Sequence, residues 1–347
     1  AAYQSLVVSP NEITMEEQYI EHNIEFTRTA YGINEERIEE KQYNVGREIT
    51  REVTEENQNT IDNIRLWDWR ALMSNLQQQQ EIRLYYQFND VDIDRYTFDG
   101  EYREVMLSVR ELEKSALPAQ AQTWVSRHLK YTHGYGLVML PAHEVLAQGQ
   151  PKLLIRGIPP EEQIEGIDIN RPEIYYGEKT RDHVYVNTEE EEFDYPAGDT
   201  NQYTTYEGSG GVSFKNVFRR FAYAWRYDAH RQLFSGYITN ETRILFNREL
   251  RIRAHTLAPF LRFSEDPYAV ITDDGRIKFI LDAYMVSNKY PYSELYTGSM
   301  NTFQGLNYIR NSVKVVIDAY DGSVTFYAVD PDDILLKTYQ NIFPDLF

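Results

Sequence analysis

Residues Arg276 to Tyr284 read R-I-K-F-I-L-D-A-Y, and residues Ser312 to Tyr320 read S-V-K-V-V-I-D-A-Y. Lys, Asp, Ala and Tyr recur at matching positions of this nine-residue repeat, and apolar residues replace apolar ones. Successive side chains of a strand point to opposite faces, so Ile277, Phe279, Leu281 and Ala283 share one face of the first copy. Val313, Val315, Ile317 and Ala319 do the same in the second, and the lysine, aspartate and tyrosine take the other face. Two half-buried strands are expected, at equivalent positions of one sheet. Asp274-Gly275 precedes the first copy and Asp321-Gly322 follows the second, which is the chemistry of tight hairpin turns. Between the copies, Met285 to Asn311 carries Pro291, Gly298, Gly305 and the aromatics Tyr290, Tyr292, Tyr296, Phe303 and Tyr308. A long loop of this kind on a rigid sheet is commonly functional.

Outward from the repeat, the chain reads as alternating helices and hairpins. A helix is expected from the Ser9-Pro10 start to Gly32, with Ile13, Ile20, Ile24, Thr27 and Tyr31 on one stripe. The glutamate-rich tract Asn34 to Asn59 has too few apolar residues for a core and reads as an extended arm. A helix carrying Leu72, Met73 and Leu76 follows, then strands over Ile82 to Phe88, Val91 to Phe98 and Tyr102 to Val109, the last two joined across Asp99-Gly100. Pro118 opens a short helix through Trp124 and Leu129, and Gly134 and Gly136 force a turn. Short strands are expected through Thr188, then a helix capped by Ser213, a helix from Thr239 to Ala258, and a final helix capped at Asp332-Asp333. The fold class expected is α+β with antiparallel sheets: an N-terminal helix and arm over 1–60, a β-rich lobe over 61–212, and an α+β lobe with twin hairpins over 213–347.

Composition narrows the functions. The chain has 347 residues, enough for a sizeable interior, and no apolar run long enough to cross a bilayer. A net charge of -19 argues against nucleic acid, whose binding depends on clustered Lys and Arg. The absence of cysteine excludes thiol catalysis, disulfides and Cys-type metal sites. The first residues are Ala1-Ala2-Tyr3 with no initiator Met, so an excised domain is expected. The 28 tyrosines are read first as suiting half-buried strands, with a surface for sugars or peptides as the alternative.

Several stretches together resemble one family. They are Asn63-Ile64-Arg65-Leu66-Trp67-Asp68, Tyr131-Thr132-His133-Gly134-Tyr135-Gly136, Phe193-Asp194-Tyr195-Pro196, Tyr203-Thr204-Thr205-Tyr206-Glu207-Gly208, Ala258-Pro259-Phe260-Leu261 and Asn307-Tyr308-Ile309-Arg310-Asn311-Ser312-Val313-Lys314. On these the chain is similar to uncharacterised protein family 0182, over nearly its whole length. The resemblance implies a soluble, extracytoplasmic portion of a large multi-spanning membrane protein, anchored through spans outside this chain. It supplies no activity and no catalytic residues. A binding or scaffolding module is the function expected, and a cell-envelope hydrolase or carbohydrate- or peptide-processing enzyme is the alternative.

Each candidate site competes with a structural role. Asp282, Asp318 and Asp321 lie among the carboxylates around the hairpins, and oxygen-rich clusters hold calcium; Asp before Gly also simply makes turns. His128, His133 and His143 lack the H-E-x-x-H spacing of a zinc hydrolase, since Ala147 stands where the second His belongs. Gly208-Ser209-Gly210-Gly211 before a helix offers amides to an anion but lacks the P-loop lysine, and reads first as a structural turn. In the long loop, Asn288, Lys289, Tyr290, Tyr292 and Arg310 combine aromatic faces with hydrogen-bonding and cationic groups, a mixture suited to a sugar or peptide. The first helix carries Glu12, Glu16, Glu17, Glu21 and Glu25 opposite its stripe, so it is expected to dock on protein, the same chain or a second copy, rather than on lipid.

Overall fold

The computed structural model describes the whole chain except residues 1, 43–45, 47, 99, 199, 230–234 and 300. The repeat builds the largest sheet. Ile277–Ser287 and Tyr308–Asp318 pair directly and antiparallel, with Asp282 opposite Lys314 and Lys278 opposite Asp318. Tyr268–Ile271 and Arg262–Phe263 flank the first copy, and Val324–Ala328 flanks the second. The face expected to be apolar is sealed, with Phe279, Leu281, Val313, Val315 and Ile317 fully buried. Both hairpins form, though with loops longer than two residues. Gly275 and Gly322 sit at φ +73° and +69°, a backbone region costly for any side chain, which is why these turns need glycine.

A second sheet runs through Glu101–Leu112, which pairs with Tyr86–Phe88, Asp92–Phe98 and Leu137–Pro141. Its run Val105-Met106-Leu107 is buried on both faces: Val105 and Leu107 join the main core, while Met106 packs with Leu72 and Leu76 of the helix Trp69–Gln80. A continuous apolar run is what a strand covered on both sides requires. The helix begins at Trp69 because Asp68 accepts from the amides of Arg70 and Ala71 at 2.9 and 3.4 Å. The main core draws residues from Phe98 to Leu336, so the boundary expected at 212/213 falls inside one compact unit, residues 58–347.

Residues 1–57 form a separate compact unit. Its main helix, Glu17–Tyr31, ends at Gly32 in the left-handed conformation, as expected. Ile13, Ile24 and Tyr31 of the stripe are exposed. Ser9 does not cap; a chain of short helical turns starts earlier, at Gln4. The glutamate-rich tract is not wholly extended, because Thr50 caps a helix over Arg51–Glu56 in which Arg51 and Glu55 pair at 2.8 Å.

Two other expectations are corrected by burial and local polar competition. Thr239 to Ala258 is not one helix: Arg243–Leu245 is a strand between Val184–Val186 and Val212–Ser213, burying Ile244 and Leu245. Only Leu250–Leu257 is helical, started by Glu249, whose carboxylate accepts from Ile252 N. Likewise Ser213 belongs to a strand, and Asn216 caps the helix Val217–Arg226. The last helix, Ile334–Ile342, starts at Asp333 as expected.

Candidate functional site

The carboxylates of the repeat are committed to internal cations. Asp318 is buried and meets Arg276 Nε at 2.7 Å, and Asp321 meets Arg276 at 3.1 Å; Asp282 pairs with Lys314 and accepts from Asn311. Asp282 lies four ladder positions from Asp318, roughly 13 Å along the strand. Among the described residues no group of three His, Asp or Glu side chains has a metal-binding arrangement. Asn288, Lys289, Tyr290 and Tyr292 do lie together on the exposed loop, where Tyr290 stacks on Tyr308 at 5.7 Å. Arg310 pairs with Asp330 at 2.5 Å. The Gly208-to-Gly211 loop turns carbonyls inward: Arg243 donates to the backbone oxygens of Ser209, Gly210 and Gly211. That geometry suits a cation, not an anion.

The histidines are structural too. His133 is sealed from solvent, with Nδ1 at 2.8 Å from Thr132 Oγ1 and Nε2 at 3.3 Å from Asp194. Thr132 donates onward to Glu192, which also accepts from Tyr175 at 2.9 Å. The network satisfies polar groups of three distant segments in the core, and a substrate has no access to it. His128 and His183 stack at 4.5 Å, and Tyr227 stacks on His183 at 4.0 Å. Burial first, then the neighbouring His128, pushes His183 down to about 3, so that ring is neutral at physiological pH.

Beside this stack lies a cavity of about 140 Å³. Its walls come from the end of the Glu101–Leu112 strand, from Arg127 and Thr132, and from the loop Lys179 to Asp182, with Arg248 below. Five cations line it, Lys114, Arg127, Lys179, Arg181 and Arg248, against two carboxylates, Glu113 and Asp182. The floor is rigid. Arg248 is fully buried and donates to the carbonyls of Tyr175 at 2.6 Å, Asp182 at 3.0 Å and Thr132. Buried Glu111 fixes the wall by accepting from Glu178 N, Lys179 N and Thr180 Oγ1 at 2.5, 3.0 and 2.9 Å. Any Cβ on Gly177 would strike that carboxylate.

Two cations here are under-compensated. Lys114 is buried, donates to Arg127 O at 2.6 Å and stands 3.9 Å from Asp182. Desolvation, reinforced by Arg248, pushes its ammonium well below the usual lysine range. Arg127 reaches Asp182 at 3.2 Å, but its Nε is buried with no hydrogen-bond partner among the described residues. An anion entering here would meet excess positive charge in a partly desolvated niche. The volume admits a phosphate, a sulfate or a carboxylate head, and excludes a nucleotide. The sequence signal was faint: Lys179-Thr180-Arg181-Asp182-His183 is a basic stretch in an acidic chain, but Lys114 and Arg248 lie 134 positions apart.

Fold and cavity together define an α+β domain with a small cation-lined pocket. The chain belongs to uncharacterised protein family UPF0182, whose description matches residues 1–347. UPF0182 proteins of Desulforamulus reducens and Trichodesmium erythraeum are each 49% identical to it, over 100% and 99% of this chain and 36% and 38% of their own lengths. The relative from Methanospirillum hungatei is 43% identical over 99% of this chain and 38% of its own. The chain thus spans little more than a third of the curated relatives it matches. No solved structure matches it.

Proposed function

We propose that this chain is a binding module that captures a small anion, a phosphate, sulfate or carboxylate group, in the Lys114–Arg248 cavity. The observation that carries the reading is charge placement: five cations surround 140 Å³ in a chain whose net charge is -19. Excess cation is desolvated at Lys114 and Arg248, a cost that a bound anion offsets. The module is further placed outside the cytoplasm, as part of a longer membrane-anchored protein. The family resemblance supports that placement, and protease protection of the full-length protein in intact cells against permeabilised cells tests it.

The pocket is tested by melting the parent in phosphate, sulfate or chloride at matched ionic strength. Ligand at 100 times its Kd adds about 2.7 kcal/mol of stability, so phosphate or sulfate is expected to raise Tm by several degrees over chloride. Lys179→Gln with Arg181→Gln, both at the exposed rim, is expected to fold normally and lose the shift. Equal melting of the parent in all three salts, or an undiminished shift in the variant, rejects the reading.

A further inference from the structure

The helix Val217–Arg226, V-F-R-R-F-A-Y-A-W-R, presents an exposed aromatic stripe and is anchored by its other side. Ala224 is buried, while Tyr223 and Tyr227 are half-buried against Phe214, Phe246 and His183. At 100° per residue, Val217, Phe218, Phe221 and Trp225 fall within about a 100° sector. All four are exposed, Phe218 by 80% and Trp225 by 91%. Large aromatics standing this far into solvent on a helix held firmly from behind mark an interaction surface.

The charges around the stripe select what meets it. From Gly208 to Tyr227 there is no carboxylate, although the chain holds 54. The same stretch carries Lys215, Arg219, Arg220 and Arg226. Arg219 and Arg226 are exposed on one side of the aromatic sector, about 80–100° round the helix past Phe218 and beyond Ala222, while Arg220 turns inward and donates to Thr239 O at 3.1 Å. An exposed aromatic face with arginines on the adjoining exposed face matches the boundary of an anionic bilayer, where rings enter the headgroup region and long guanidinium side chains reach back to the phosphates.

We propose that this helix docks the domain onto the surface of a membrane containing anionic phospholipid, lying in the interface with Phe218 and Trp225 inserted. The rest of the acidic molecule is repelled by the same surface, and screening confines that repulsion to roughly 10 Å or less at physiological salt. Only an orientation with the helix against the lipid is therefore attractive. The proposal uses none of the residues of the anion pocket and stands or falls independently of it.

The test is flotation of the full chain with vesicles of phosphatidylcholine alone or mixed with phosphatidylglycerol. Binding is expected only with the anionic mixture, and to weaken as salt rises. Phe218→Ala with Trp225→Ala, and separately Arg219→Glu with Arg226→Glu, are each expected to lower partitioning tenfold or more while circular dichroism and Tm stay at parental values. Brominated acyl chains should quench the parent's tryptophan emission more than that of Trp225→Phe. No binding of the parent to anionic vesicles, or variants that float like the parent, overturns the proposal. So does a result in which the aromatic variants change sedimentation of the lipid-free protein, which would assign the surface to self-association.

Discussion

Asp282 lies directly across from Lys314 on neighbouring antiparallel strands, and the two side chains form an ion pair. Each belongs to one copy of the repeat, so the motif is complementary to itself: turned antiparallel, its lysine meets its aspartate. The second crossing places Lys278 opposite Asp318, which is diverted to Arg276. Directly opposed charges in a sheet favour one register over its neighbours. Asp282→Lys or Lys314→Asp alone is expected to destabilise the domain by about 0.5–1 kcal/mol, and the double exchange to recover most of that. Urea midpoints of the four proteins check this; additive losses would show the pair to be uncoupled.

Asp333 ties the second repeat strand to the last helix. Its Oδ1 accepts from Leu335 N at 2.9 Å, Leu336 N at 3.4 Å and Tyr308 Oη at 2.9 Å, and Oδ2 accepts from Ser312. The carboxylate is completely buried. Asp333→Ala removes a helix cap and the acceptor shared by the Tyr308 and Ser312 hydroxyls, a loss of roughly 2–4 kcal/mol. Asp333→Asn should retain the cap and lose less. Equal denaturation midpoints for Ala variant and parent would contradict this.

A buried group of carboxyls should make stability depend on pH. Asp92 is pushed up to about 8, chiefly by desolvation and then by Asp90, although Ala269 N donates to it at 2.8 Å. Asp90 and Glu178 are raised as well, each first by burial; Asp266, Asp94 and Glu111 add negative charge and Lys179 opposes it. A carboxyl with a raised folded pKa stabilises the fold in its protonated form. That contribution is complete below the unfolded value near 4 and is lost as pH rises to about 8. Asp92→Asn keeps an acceptor for Ala269 N and should flatten the decline by about 1–3 kcal/mol. Parallel stability curves for the two proteins from pH 4 to 8 would refute it.

Anion capture should be accompanied by proton uptake. Lys114 is depressed by burial and by Arg248, and a bound anion favours its charged form. Calorimetric titration with phosphate, in buffers of different ionisation enthalpy and at pH values stepped up toward the usual lysine range, is therefore expected to show net proton uptake that appears once Lys114 begins to lose its proton. Lys114→Met should abolish the uptake that Lys114 supplies. A buffer-independent enthalpy in the parent would remove Lys114 from the binding step.

The repeat strands, their buried faces, the Asp333 cap and the turns at Gly32, Gly275 and Gly322 were legible in the sequence because each rests on local chemistry. Alternation, a short side chain bonding amides two or three residues on, and a positive φ all act within a few residues. The sequence misled where burial overruled local preference, as at Arg243–Leu245, whose apolar residues read as helical until two neighbouring strands claimed them. The cation pocket belongs to the same class. Lys114, Arg127, Lys179 and Arg248 are ordinary basic residues until the sheet ends and the loop held by Glu111 bring them around one small volume. Their significance arises from desolvation, a property of the packed interior and not of any segment. Sequence by itself determined the repeat strands, their faces and their turns, because the forces behind them are short-ranged; tertiary structure decided which further segments became strands and which charges are buried together, because only packing removes water from groups far apart along the chain.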